Sequence, residues 1–161
     1  MKFLRTIRFD PSDANVFEHA AESGEWAVSG CFAFADVNPD EVAGKTRQAF
    51  ANGFLGLNSF GRSTFVSVSA MDGQEREAGL SALCAHFVER YGAPDQAAAL
   101  GAAEQEFAFI ADLVAEQPVN TVFALRRVFD DSGEIREEFR IVTPPTGELH
   151  TRIWEVVEDD A

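Results

Sequence analysis

Two alternating runs separated by a turn constrain this chain more than any other feature. Residues 121–142 carry large apolar side chains at Phe123, Leu125, Phe129, Ile135, Phe139 and Ile141, with Asp131-Ser132-Gly133 between them. A three-residue hairpin loop with Gly133 in the left-handed conformation fixes one register. Phe129 then faces Ile135, Leu125 faces Phe139, and Phe123 faces Ile141. A two-residue loop would pair Leu125 with Arg140 instead, and a one-residue slip turns every side chain to the wrong face. The same register sets Arg127 opposite Glu137 on the apolar face and Arg126 opposite Glu138 on the other.

The rest of the chain is read around this hairpin. Residues 2–9 form a short strand before Asp10-Pro11. Residues 25–35 (EWAVSGCFAFA) form a second, with Trp26, Val28, Phe32 and Phe34 on a large face. Ala27, Ser29, Cys31, Ala33 and Ala35 make its small face, which lets a helix or a ligand approach closely. A first helix opens with Asn38 as cap, Pro39 at the first position and Glu41 completing a capping box, and runs to Gly53. The apolar loop GFLGLNSFG follows at 53–61, then a strand at 62–70. A second helix begins at the Asp72 cap, with Glu75 three residues on, and stops at Gly92. Its stripe is Leu80, Leu83, Cys84, Phe87, Val88 and Tyr91. A third opens at Pro94 with the stripe Leu100, Ala103, Phe107, Ala111 and Val114, while Phe109 and Leu113 point the other way. After Pro144-Pro145, residues 149–157 read as a last strand. The order β-β-α-β-α-α-β-β-β predicts an α+β domain with a mainly antiparallel sheet of five to six strands and three helices. All 161 residues fit one domain, with 143–161 as a peripheral C-terminal extension.

Charge and composition exclude several functions. Lys and Arg number 13 against 27 Asp and Glu, a formal net charge of −14. Such a balance argues against nucleic acid and anionic membrane surfaces, both of which need clustered cations. No run reaches the roughly 18 to 20 apolar residues of a membrane span. The N-terminus lacks the continuous apolar stretch of a signal peptide. Two cysteines make no disulfide framework, so the chain reads as reduced and cytoplasmic. Fifteen Phe against one Tyr mark rings that belong in a core or an interface.

Each candidate for chemistry has a plain structural reading beside it. Gly44-Lys45-Thr46 resembles the end of a phosphate-binding loop, but Pro39 stands where its first glycine belongs. Ser59-Phe60-Gly61 lacks the leading glycine of a nucleophile elbow, because position 57 is Leu57. Cys84 and His86 sit about 200° apart on a helix and cannot share a metal ion. No catalytic constellation, metal site or cofactor motif is predicted. Glu104, near the stripe of the third helix, is a candidate for a desolvated carboxylate. Arg127 with Glu137 is either a cross-strand ion pair or an anchor for a carboxylate or phosphate. The 53–61 loop either plugs the core or meets a partner through Phe54, Leu55, Leu57 and Phe60. Arg62 at its exit is placed to serve an anion, with Cys31 on the small face nearby.

Three segments, KFLRTIRFDPSD, EWAVSGCFAFAD and GFLGLNSFGRSTFVSV, resemble a small bacterial family of uncharacterised proteins, a domain of unknown function. The resemblance covers residues 2–142 and implies no activity, cofactor or site residue. The expected function is that of an uncharacterised accessory protein acting through protein contacts, a homodimer without nucleic acid or membrane partners. The alternative is a binding domain for a small anionic ligand, with Arg62 or Arg127 as anchor over the small face of 27–35. An enzyme using Glu104 alone comes third.

Overall fold

A computed structural model describes residues 1–8, 12–143 and 155–158. It is an α+β fold in which eight strands, one of them only two residues long, form one antiparallel sheet. The strands are β1 (Lys2–Ile7), β2 (Trp26–Val28), β3 (Phe54–Gly56), β4 (Arg62–Ser63), β5 (Phe65–Ala70), β6 (Val122–Phe129), β7 (Ile135–Thr143) and β8 (Glu155–Glu158). Their order across the sheet is β4-β3-β2-β1-β5-β6-β7-β8. The helices are α1 (Ser12–Val16), α2 (Gly44–Asn52), α3 (Gly73–Arg90) and α4 (Gln96–Val114).

The hairpin forms as its register predicts. Phe129 pairs Ile135, Leu125 pairs Phe139, Phe123 pairs Ile141, and Arg127 pairs Glu137. Gly133 has φ 85°, and the amide of Asp130 donates to the carbonyl of Glu134 at 2.8 Å to close the loop. The α3 start is also as expected. Asp72 and Glu75 make a reciprocal capping box, and Gly92 takes φ 68° just past the helix end.

Several expectations are corrected. The 25–35 strand ends at Val28, because Gly30 takes φ 78° and residues 31–34 wind into a 3-10 turn. The continuous small face over which a ligand was expected therefore does not exist. Ala27 is core and Ser29 lies under Arg127. The first helix starts at Gly44, not after Asn38. Asn38 does cap, but it caps a 3-10 turn at Pro39–Glu41, and the extended backbone of Val42 and Ala43 separates the two. Of the two readings left open for the 53–61 segment, Phe54, Leu55 and Leu57 take the core one, the first two in β3, while Asn58 is exposed and Phe60 half-buried. The expected strand at 62–70 divides at Thr64 into β4 and β5. Helix α1 was not foreseen. Five to six strands and three helices thus become eight and four among the described residues, since β3 and α1 fall below the length at which periodicity is visible and the 62–70 strand divides. Of the last predicted strand, 149–154 lie outside the described residues, and β8 occupies the remainder.

Phe3 and Leu4 are neighbours on opposite faces of β1, and both are fully buried, so the central strands are covered on both sides. Phe107 of α4 meets Phe3 at 4.6 Å between ring centroids. Strand register puts Leu4, Val68, Val66, Phe123, Leu125 and Arg127 on one face, all buried. The sheet is curled. Strand β3 is four places from β6 in the order, yet Asn52 Nδ2, just before β3, donates to the Leu125 carbonyl at 3.3 Å. Phe54 of β3 likewise meets Phe139 of β7 at 6.1 Å. A smaller core of Phe34, Val42 and Phe50 packs against Phe129 and Ile135. Two arginines stand at this closure.

Candidate functional site

Arg127 is only 1% exposed. Register places it on β6 opposite Glu137, and its Nε donates to Glu137 Oε2 at 2.7 Å. Its Nη1 donates to the carbonyls of Ala49, Phe50 and Gly53 at 3.4, 3.0 and 3.0 Å. These carbonyls lie at the C-terminus of α2, where helix ends leave acceptors unpaired and favour a cation. Its Nη2 donates to the Ser29 carbonyl and to Ser29 Oγ. Ser29 Oγ in turn donates to Glu137 Oε2 at 2.7 Å. Every nitrogen of this guanidinium is in use. The group pins β6, β2 and the end of α2 together across the curl of the sheet.

Arg62 is 9% exposed and differently placed. Its Nη1 donates to the carbonyls of Gly30 at 3.4 Å and Gly53 at 3.2 Å, and its Nη2 to Gly30 at 3.4 Å. A guanidinium has five N–H groups. The Nε–H and the outer Nη2–H, which lie side by side on one edge, meet no acceptor among the described residues, and because Nε is not among the buried unpartnered atoms this edge touches solvent. No carboxylate pairs with Arg62 there either. Two glycines make room for it. A Cβ at Gly30 would stand 2.6 Å from Arg62 Nη1, and one at Gly53 would stand 3.1 Å from Arg62 Cβ and Cδ. Burial first, and then the charge of Arg127, lowers its pKa to about 10, so it is still a cation at neutral pH. Both guanidiniums lie by the Phe34 ring, Arg62 at 4.9 Å and Arg127 at 5.7 Å from its centroid.

Arg62 lines a cavity of about 220 Å³ with Phe17, Phe34, Phe60, Lys45 and Glu18. A larger cleft of about 730 Å³ shares His19 and Phe60 with it and adds His86, Glu89, Arg90 and Tyr91. Phe60 thus stands in the wall of both. It holds a left-handed φ of 57° and stacks on His86 at 3.9 Å. Burial, then Arg90 and Arg62, lowers the pKa of His86 from its ordinary 6.5, so its ring is mostly neutral at pH 7. The Phe60 turn is held from below by Glu25. That carboxylate accepts from the amides of Asn58 and Ser59 at 2.9 and 2.8 Å and from Ser59 Oγ at 2.7 Å. Burial works against its charge, but the hydrogen bonds from Ser59, Asn58 and Glu22 prevail and lower its pKa.

Of the residues singled out from sequence, Phe60 and Arg62 share a cavity wall, and Arg127 and Glu137 form the ion pair. Cys31 lies close by, its thiol pKa raised by burial first and then by the Glu137 charge. Glu104 is not part of the group: it is exposed on α4. The partly buried carboxylate is Glu106, whose pKa is raised by burial first and then by Glu137. Ala103, Phe107 and Val114 of the stripe expected on α4 are buried, but Ala99 and Ile110 take the places of Leu100 and Ala111, which turns the buried face by about 40°. The buried set is Ala99, Ala103, Phe107, Ile110 and Val114, and Leu100 is 42% exposed. Glu106, three residues after Ala103 and four before Ile110, belongs to that stripe. Similarly, Val88 and Tyr91 of the α3 stripe are exposed, and His86 is half-buried against Phe60. Sequence reasoning missed Glu25, Lys45 and Phe17. Lys45 stood in the rejected phosphate-loop pattern, but Glu25 and Phe17 carried no local signal.

No three His, Cys, Asp or Glu side chains among the described residues stand close enough to hold a metal ion together. No helix among them is long and apolar enough to cross a membrane. A family model matches residues 1–158, reaching past residue 142 into the C-terminal segment that the resemblance left out; its description is a family of unknown function, DUF6505. Neither a curated protein nor a solved structure matches the chain.

Proposed function

The chain belongs to the DUF6505 family, and since that family has no known function to carry over, we propose from the site itself that this is a binding domain for a small anion, anchored by Arg62. One observation carries the reading. Arg62 is 9% exposed as a residue, and it has neither a carboxylate partner nor an acceptor for its solvent-touched Nε/Nη2 edge among the described residues. No carboxylate among the described residues balances this charge, and an anion on the solvent-touched edge would balance it with two charge-assisted hydrogen bonds. Lys45 beside it and Arg90 across Phe60 add positive charge to a strongly acidic chain. The Arg127 alternative loses its support, because that guanidinium is already saturated.

Thermal unfolding at constant ionic strength tests the reading. Acetate and phosphate should raise the melting temperature saturably, as ligands that bind only the folded state do. The variant R62M should lose the effect. An equal rise in wild type and R62M would contradict it.

A second reading, the accessory role through protein contact, is favoured by Phe109 on α4, which is 48% exposed beside Phe139. Native mass spectrometry reports it. A dimer that F109S converts to monomer supports it, and a monomer at all concentrations opposes it.

A further inference from the structure

We propose, resting on the anion-binding role above, that the cavity beside Arg62 takes a monocarboxylate with a compact apolar body. Size comes first. At about 220 Å³ the cavity is smaller than the roughly 300 to 1,000 Å³ of sites for drug-sized ligands, so it matches a compact ligand. The walls come second. Phe17 and Phe34 are buried and Phe60 is half-buried, and together they offer ring surface that only an apolar body can use. Charge comes third. Arg62 and Lys45 oppose Glu18, an excess of one positive charge among the Arg, Lys and Glu side chains of the lining. One carboxylate balances it. A phosphate dianion would leave a negative charge between Glu18 and three phenyl rings, an unfavourable place for it. Geometry agrees: the edge formed by Nε and Nη2 matches the two oxygens of a carboxylate.

Isothermal titration of the intact chain with benzoate, benzamide and inorganic phosphate tests this. Benzamide keeps the ring and loses the charge, while phosphate keeps the charge and loses the ring. Benzoate should bind saturably, with benzamide and phosphate each weaker by about tenfold or more. R62M should weaken benzoate by about ten- to a hundredfold. K45M, at an exposed position on α2 that leaves folding intact, should weaken it by about two- to fivefold. If R62M does not fold, R62K replaces it, since a lysine cannot present the two-pronged edge and should show a similar loss. Phosphate binding as tight as benzoate would overturn the monocarboxylate assignment and leave the anion-binding role standing. Equal binding of benzoate and benzamide would overturn both, as would the absence of binding by any probe.

Discussion

Arg127 and Arg62 lie by the same Phe34 ring and donate to the same Gly53 carbonyl, yet their surroundings differ in kind. Arg127 has a carboxylate at 2.7 Å, a serine side chain and backbone carbonyls from two further elements. Arg62 has two carbonyls at 3.2–3.4 Å and no carboxylate among the described residues. Burial alone therefore does not tell a strut from an anchor. The count of N–H groups left without an acceptor does. Arg127 has spent its hydrogen bonds on holding the curled sheet shut, and Arg62 keeps one edge in reserve.

Removing each arginine should separate the two roles. The largest effect belongs to R127M, which strands Glu137 and should cost about 3–5 kcal/mol in urea or thermal unfolding. The double variant R127M/E137Q should recover part of that loss, because the two residues form one network. Next comes the Glu25 support under the Phe60 turn. A Cβ at Gly56 would stand 2.5 Å from Glu25 Oε1, so G56A should destabilise by about 1–3 kcal/mol. Replacing the carboxylate in E25Q should cost a similar amount at neutral pH. The pKa of Glu25 is lowered from 4.5, so its stabilisation is present above that value and is lost as pH falls through its folded pKa. E25Q should accordingly show a shallower loss of stability in acid than wild type.

R62M should change unliganded stability by only about 1 kcal/mol, of either sign, since a buried charge gives way to an apolar side chain. Both carbonyls it leaves have another donor: Gly53 keeps Arg127, and Gly30 keeps the amide of Ala33. A loss as large as that of R127M would erase the distinction between the two groups. The smallest effect is E106Q. The pKa of Glu106 is raised from 4.5, so what it contributes is present below that value and lost as pH rises through its folded pKa. Wild type should therefore fall slightly behind E106Q above pH 4.5 in pH-dependent melting.

The sequence carried the Arg127 side of this comparison and only half of the Arg62 side. Cross-strand pairing has period two, so one turn residue, Gly133, settled eight residue pairs, Arg127 with Glu137 among them. The same logic failed at 25–35, where alternation persists in the sequence but a left-handed Gly30 ends the strand. It failed again at 38–43, where a cap and a proline are as well suited to a 3-10 turn as to an α-helix. Arg62 was visible as a cation at a loop exit. Its burial, its free edge and its neighbours Phe17, Phe34 and Lys45 come from four separate stretches of chain, which no local pattern joins. Glu106 was missed for a smaller reason: taking Leu100 and Ala111 instead of Ala99 and Ile110 turns the apolar face of α4 by about 40°, enough to bring Glu104 to its edge in place of the half-buried Glu106.

Arginine Nε–H resonances report on both groups in one sample. In a two-dimensional proton–nitrogen spectrum, with R62K and R127M as assignment controls, adding acetate should shift the Arg62 Nε–H signal saturably. The Arg127 signal, already bonded to Glu137, should stay where it is. An Arg62 signal that does not move, or an Arg127 signal that moves as far, would contradict the account.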